Sequence, residues 1–466
     1  MNSKEKKVVI IGGGITGLTT AFYLQKQANE KGLPISFKLV EASKHLGGKI
    51  STVQKDGFTI ERGPDSFLER KVSAGQLVRD LGLGDQLVNN STGTAHVLVN
   101  NELFPIPEGA VMGIPTKITP FITSGLFSPV GKLRAAADLI LPKSGIEGDQ
   151  SLGHFFRRRL GSEVVENLIE PLLSGIYAGD IDQLSLESTF PQFKQVESKY
   201  RSLILGMKTT SPQKKETGKS KKGIFQTVSS GLSSIVDTIG QQLPKENVLL
   251  ERKVLGLEKS ENGYFVSLDN GEKLEANYVV LATPHLASSE ILKPYGIMED
   301  FEDIPSTSVA TVAMAYPLEA FSQLIEGTGF VVSRNSPYTI TACTWTHKKW
   351  PHTVPKGKAL IRCYVGKAGD EDIVYGSDDE ILQAVKTDLQ TISGVTTEPD
   401  FVVISRWKKA MPQYVVGHKE RLNKMKETVQ KELPNVFVVG SSFEGLGLPD
   451  CIDQGKRVVE DIIVSI

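Results

Sequence analysis

The groups best placed to do chemistry near the start of this chain belong to the backbone. In "KKVVIIGGGITGLTTAFYL", Gly12, Gly14 and Gly17 form a GxGxxG with Gly13, Ile15 and Thr16 between them. A buried-strand run of β-branched residues precedes the glycines and a helical periodicity follows them, which is the context that makes this weak pattern specific. Gly12 permits the tight turn, Gly14 lets a pyrophosphate approach the backbone, and Gly17 lets strand and helix pack closely. The helix N-terminus adds oriented N–H groups and positive partial charge. Glu41 comes 24 residues after Gly17, ending the second strand "ISFKLVEA", with Ala42 beside it. A carboxylate there accepts hydrogen bonds from an adenosine ribose. The chemistry indicated is dinucleotide binding, for which NAD and FAD use the same unit.

A glycine doublet, Gly47 and Gly48, then offers exposed backbone, and Lys49 a cation near the same phosphates. Far downstream, "VFVVGSSFEGLGLPDCIDQGKRV" (436–458) repeats the pattern of strand, glycines and helix, with Gly440 at the strand end and Leu448, Pro449 and Asp450 opening the helix. No Ser/His/Asp or Cys/His arrangement is apparent. His347 and His352 lie five apart around a proline, a poor metal spacing. Arg157, Arg158 and Arg159 point about 100° apart on a helix, so they read as a solvated face. Cys343, Cys363 and Cys451 are far apart in sequence and form no CxxC, which argues against a disulfide framework, a zinc site or a dithiol centre. Cys451 reads as a small buried residue.

These groups need a scaffold. Residues 7–42 read as a βαβ unit, and 248–282 as a β-meander around Asn-Gly turns at 262–263 and 270–271 that returns to it. Residues 71–200 look mainly helical, joined by Pro-rich apolar segments, and 305–410 look mixed α/β. The polar, basic 209–222 reads as a flexible loop. The expected division is a discontinuous cofactor domain (1–70, 223–290 and 411–466), a mainly helical domain lining the substrate entrance (71–208) and a mixed α/β substrate domain (291–410).

With 466 residues, 39% hydrophobic and 23% charged, the composition is that of a soluble globular protein of two or three units. Lys plus Arg (53) and Asp plus Glu (54) nearly cancel, leaving no overall field to hold nucleic acid or anionic lipid. The apolar run after "MNSKEKK" is too short for a signal-peptide core, and no stretch reaches about 18 uninterrupted apolar residues. The expectation is a cytoplasmic chain without a transmembrane segment. The apolar 103–127 segment reads as lining the substrate entrance, with weak peripheral membrane contact as the other reading.

Three stretches choose the cofactor. "ERGPDSF" (61–67), "EPLLSGIYAGD" (170–180) and "SSFEGLGLPDCIDQGK" (441–456) resemble the flavin amine oxidase superfamily and, within it, the porphyrinogen oxidases of haem synthesis, of the soluble Gram-positive type. The likeness spans nearly the whole chain. It implies an α/β fold with a Rossmann-like FAD-binding domain of the GR2/amine-oxidase type, an inserted helical domain and a mixed α/β substrate domain. It implies FAD contacts at Gly63, Pro64, Asp65 and Ser66, at Val254, at Trp407 and at Leu448 to Asp450. The second glycine turn then serves the flavin end of one cofactor, its helix amides facing the N1/O2 edge. Many related flavoproteins have Gly-Asp at this strand end, whereas Ser441 follows Gly440 here.

The resemblance also implies six-electron oxidation of coproporphyrinogen III to coproporphyrin III, with O2 as acceptor and H2O2 released. Positioning in an apolar pocket would do most of the work; no catalytic side chain is singled out, flavin N5 being where hydride would arrive. Lys71 is the candidate cation for a substrate propionate, and Gly175 and Ile176 match the family's pocket floor. A transient contact with a ferrochelatase partner is compatible with this reading. Protoporphyrinogen IX stays open as the substrate. So do two other activities on this scaffold: an FAD amine oxidase or carotenoid desaturase, and a flavin-free binding protein of the dissociation-inhibitor kind.

Overall fold

The computed structural model describes residues 5–91, 95–210, 223–321 and 326–466. Five strands form a parallel sheet in the order Val248–Leu249, Ile35–Val40, Lys6–Ile11, Tyr278–Leu281, Val436–Val438. Both faces are covered, as a parallel sheet requires. The two-residue period of the first strand sends Val8 and Ile10 to one core and Val9 and Ile11 to the other. The first core is closed by the Ile15–Lys31 helix and the C-terminal Leu448–Val464 helix, through Leu18, Phe22, Val459 and Ile462. The second is closed by the 254–276 meander and the His418–Glu432 helix, through Leu257, Val266, Leu422 and Met425.

The Ile15–Lys31 helix stops at Gly32, whose left-handed φ of 62° lets its N–H return to the Ala28 and Asn29 carbonyls. The meander runs Val254–Ser260, Gly263–Leu268, Lys273–Ala276, with both Asn-Gly turns where the sequence puts them.

Five strands from residues 306–412 and two from 96–105 build a seven-stranded sheet in the order Phe401–Pro412, Ser306–Pro317, Lys358–Val365, Ile340–Trp345, Gly329–Val332, His96–Val99, Glu102–Pro105. Its last two strands come from within 71–208, a stretch whose other elements are mostly helices. The apolar run around Pro105 and Pro107 is too broken for a helix, and its start, Glu102–Pro105, is captured as the edge strand beside His96–Val99. The Val72–Asp80 helix leaves that unit as well, packing Ala74, Leu77 and Val78 into the core of the cofactor domain. Beyond 290, Ile291, Phe301 and Ile304 also belong to the meander-side core, so the cofactor domain reaches past its expected boundary. The helical remainder has its own core around Phe155, Phe156, Ile169, Phe193 and Leu203. Of the expected loop 209–222, Thr209 and Thr210 end the Leu203–Thr210 helix, and 211–222 lies outside the described residues.

Arg159 departs from the expected solvated face. It is fully buried, with Nε 2.5 Å from Asp138 Oδ1 and Nη1 3.4 Å from Glu197 Oε1. Three consecutive helical arginines cannot share one face, and the one turned inward meets two carboxylates. Cys343 and Cys363, distant in sequence, are register partners on neighbouring strands and are buried, free thiols. Among the described residues, no helix is long and apolar enough to cross a membrane.

Candidate functional site

The site begins where the first strand meets the first helix. Gly12 has φ 107°, and a Cβ there would lie 2.6 Å from the Ala282 carbonyl oxygen; one on Gly17 would lie 1.9 Å from the Gly12 oxygen. A Cβ on Gly14 would meet nothing within 4 Å. Two glycines are therefore required by packing, while the third faces open space. The helix N-terminus above it has no side-chain cap, so its first amides are free for an anion. Gly47 donates to the Gly13 carbonyl at 2.8 Å, and Gly48 backs onto the Gly14 Cα. Glu41 ends the rim, accepting from Gly13 N at 2.7 Å and Ser43 N at 2.8 Å, with Ala42 exposed beside it. The chain returns along this rim through Arg252 N to Glu41 O, which brings in the buried Val254 two residues on.

A second uncapped helix N-terminus lies next to the first. The Leu448–Val464 helix starts after Gly447 with Pro449 in its first turn and Asp450 as that turn's acid. The two helices cross so closely that a Cβ on Gly455 would be 2.8 Å from the Thr16 carbonyl oxygen. Gly440, with φ 120°, leaves open space like Gly14, since a Cβ there would have no neighbour nearer than 4.0 Å. Its N–H donates to Gln454 Oε1 at 2.8 Å. Burial pushes the neighbouring Cys451 thiol up to about 11, so it is a neutral packing group.

Lys49 joins the two ends. Its backbone follows the glycine doublet, while its Nζ reaches the Ala410 carbonyl and Ser441 Oγ (3.4 Å). Burial lowers its pKa, and among the described residues no carboxylate pairs with it. With Ser441 in place of an aspartate, this cation is left for an anionic guest. The 62–66 turn packs directly on it: a Cβ on Gly63 would be 1.9 Å from the Lys49 oxygen and 3.4 Å from the Trp407 ring. Trp407 Nε1 donates to Arg62 O at 2.9 Å. Asp65, capped by Ser66 Oγ at 2.6 Å, is ion-paired with Lys349 at 2.9 Å. Burial alone would raise its pKa, but Lys349 and Arg362 overcome that and hold it well below the carboxylate range.

At the mouth, Lys71 Nζ lies 2.6 Å from both carboxylate oxygens of Asp450. Gly175 and Ile176 stand on the exposed side of the Glu170–Tyr177 helix, Ile176 being 48% exposed. Tyr177 turns inward against Tyr414, ring centroids 5.8 Å apart, and Tyr414 Oη donates to Ser441 O at 2.7 Å. That contact sets the helix carrying Gly175 and Ile176 over the Gly440 turn. The sequence reading missed Tyr414, Gln454, Lys349 and Arg362. Of these, only Gln454 had a local signal, four residues after Asp450 on the same helical face.

The glycine spacing, the two free helix ends, the open backbone at Gly14 and Gly440 and the unpaired Lys49 fit a long cofactor, phosphate at one end and an electron-accepting ring at the other. The description "flavin containing amine oxidoreductase" matches residues 15–463. Coproporphyrinogen III oxidase of Bacillus subtilis (strain 168) is 56% identical, with 99% of each chain covered. The protein of the same name from Staphylococcus aureus (strain NCTC 8325 / PS 47) is 42% identical over 99% of this chain and 100% of that one. A crystal structure from Exiguobacterium sp. 255-15 is 39% identical, covers both chains completely and superposes with a TM-score of 0.89.

Proposed function

This chain belongs to the family of flavin containing amine oxidoreductases, and from that premise we propose that it oxidises coproporphyrinogen III to coproporphyrin III in haem biosynthesis. FAD is its cofactor. The observation that carries this reading is the pair of uncapped, adjacent helix N-termini with open glycines at Gly14 and Gly440, bridged by Lys49. Phosphate amides at one end and a cation with helix amides at the other suit a cofactor that must hold more negative charge once reduced. Coproporphyrinogen is favoured because the Bacillus and Staphylococcus relatives carry that name over their full length.

Bound FAD would supply the two-electron acceptor; three two-electron oxidations would remove the six electrons, each balanced by one O2 reduced to H2O2. The chain's part is positioning. Ile176 offers an aliphatic contact for a pyrrole ring, Gly175 leaves a macrocycle room, and Lys71 is the cation for a propionate. A cytoplasmic location and a transient contact with a ferrochelatase that takes the product belong to the same reading. Weak peripheral membrane contact is supported by outward-facing Ile118, Ile122, Val130 and Leu133 on two short helices and by exposed Ile140 in the turn that follows them.

Anaerobic titration of the yellow protein with each porphyrinogen tests the reading. The expected result is flavin bleaching by coproporphyrinogen III with a higher kcat/KM than protoporphyrinogen IX. Readmitted O2 should restore the colour and yield one H2O2 per electron pair. Preference for protoporphyrinogen IX would reassign the substrate, and a chain that cannot be loaded with FAD would overturn the proposal.

A further inference from the structure

The 62–66 turn follows a strand of the cofactor domain but is held from the other sheet. Arg62 O accepts from Thr311 Oγ1 at 3.0 Å and from Trp407 Nε1 at 2.9 Å. Arg62 Nε donates to Ser405 Oγ at 2.8 Å, and Lys349 pairs with Asp65. Arg362 holds it as well, its Nη2 donating to the Gly63 carbonyl and, at 3.4 Å, to Arg62 O. Arg362 is 4% exposed, its guanidinium lies over the Tyr364 ring at 4.9 Å, and its Nε has no partner. Among the described residues no carboxylate forms an ion pair with it. Asp65 is ion-paired with Lys349 and feels the Arg362 charge only at longer range, and burial pushes Glu61, which lines the same small cavity behind the turn, up to about 7 despite that charge.

A buried guanidinium held mainly by backbone carbonyls is a poor device for stability, because its desolvation is only partly repaid. Its rigid fork is a good device for fixing a carbonyl. We propose that Arg362 is a positioning residue: by gripping the Gly63 carbonyl from the seven-stranded sheet, it sets where the 62–66 turn meets the flavin and leaves a positive charge behind that turn. This rests on the reading above that Gly63 to Ser66 contact the cofactor. It makes the flavin's affinity and potential depend on a strand of the other domain.

The test compares the full chain with Arg362→Gln and Arg362→Lys. The readouts are FAD affinity of the apo-protein, flavin midpoint potential, apo-protein Tm, and FAD-dependent hydrogen-exchange protection of a peptide covering 62–67. Arg362→Gln should bind FAD at least tenfold more weakly at an unchanged apo Tm. It should also lose about tenfold in preference for reduced over oxidised flavin, a fall of about 30 mV for a two-electron couple. Arg362→Lys keeps the charge without the fork, so it should recover the potential but only part of the affinity. If FAD gives the 62–67 peptide of the parent no protection, the contact reading fails and the proposal with it. If protection is present but both variants bind FAD within threefold of the parent and keep its potential, the proposal alone fails. Should Arg362→Gln not fold, Arg362→Lys decides the matter by its affinity at a parental apo Tm.

Discussion

Lys71 Nζ sits 2.6 Å from both oxygens of Asp450, joining the start of the Val72–Asp80 helix to the first turn of the C-terminal helix. The side chains are 40% and 29% exposed, so the pair contributes on the order of 1 kcal/mol or less to stability. Its position says more than its strength. Asp450 opens the helix assigned to the flavin end, and its charge also raises the pKa of the buried Tyr177, after burial itself. Lys71 is therefore a partly exposed cation that is only weakly tied and could exchange Asp450 for a substrate carboxylate.

Lys71→Ala should accordingly leave FAD binding and the apo Tm unchanged while raising KM for the porphyrinogen. A charge-assisted hydrogen bond of about 1.5 to 3 kcal/mol corresponds to roughly a 10- to 150-fold effect. Steady-state kinetics beside an FAD titration measure this. An unchanged KM with normal FAD binding would remove Lys71 from the substrate site.

The glycines allow fold and cofactor to be separated. A methyl on Gly14 meets no protein atom, whereas one on Gly17 would collide with the Gly12 carbonyl at 1.9 Å. Gly14→Ala should keep the apo Tm within the scatter of a neutral surface change yet bind FAD at least tenfold more weakly, its methyl occupying the phosphate approach. Gly17→Ala should lose stability by about 1 to 3 kcal/mol or more, as overpacked cores do, and lose FAD as a consequence. Thermal melts of both apo-proteins with FAD titrations check this, and equal apo stability of the two would contradict the packing argument.

What the sequence could show follows from the range of the forces involved. Gly12, Gly14, Gly17 and Glu41 belong to one strand, turn, helix and strand unit, so local spacing is enough to bring them to one rim; Gly440 and Leu448 to Asp450 are local in the same way. The partnership of Lys71 with Asp450 spans 379 positions, and that of Arg362 with Gly63 spans 299. Neither has a periodic signature. Arg159 escapes the sequence for the same reason: a run of three arginines does not say which one turns inward, and only folding brings Asp138 and Glu197 to it. The strand His96–Val99 has no periodic signal for its place because one partner, Gly329–Val332, is far away in the chain, and Glu102–Pro105 joins the sheet only as the hairpin mate of His96–Val99.

Arg159 gives a stability prediction remote from the flavin. Asp138 is fully buried and uses its other oxygen to accept from Ser202 Oγ at 2.5 Å and Ile204 N at 2.9 Å. Removing the cation strands the fully buried Asp138 in the helical core, while Glu197 keeps its ion pair with Arg158. Arg159→Met should lower the unfolding free energy by about 3 to 5 kcal/mol, read as a shifted urea midpoint. FAD affinity of the folded fraction should not change. A loss under 1 kcal/mol would mean that the ion cluster is not what organises this core.

His418 links acid stability to the Gly440 turn. The ring is stacked on Tyr414, centroids 4.2 Å apart, and its Nε2 is 2.9 Å from the Phe443 carbonyl. Burial drives its pKa down from 6.5 to about 4. Between those values the unfolded chain binds the extra proton and the folded chain does not, so stability rises with pH across the window. The contribution is intact above about pH 6.5 and is lost progressively as pH falls toward 4, reaching about 3 kcal/mol there. His418→Gln retains a donor for Phe443 O but has nothing to titrate. Urea unfolding of parent and variant between pH 4 and 7.5 isolates this group from the other buried histidines, because only the difference in slope belongs to His418. The parent should lose about 3 kcal/mol more than the variant over the window. Because Tyr414 also holds Ser441 O, release of FAD on acidification should shift to lower pH in the variant, read as flavin fluorescence. Parallel stability curves for the two proteins would show that His418 is not held neutral by its burial.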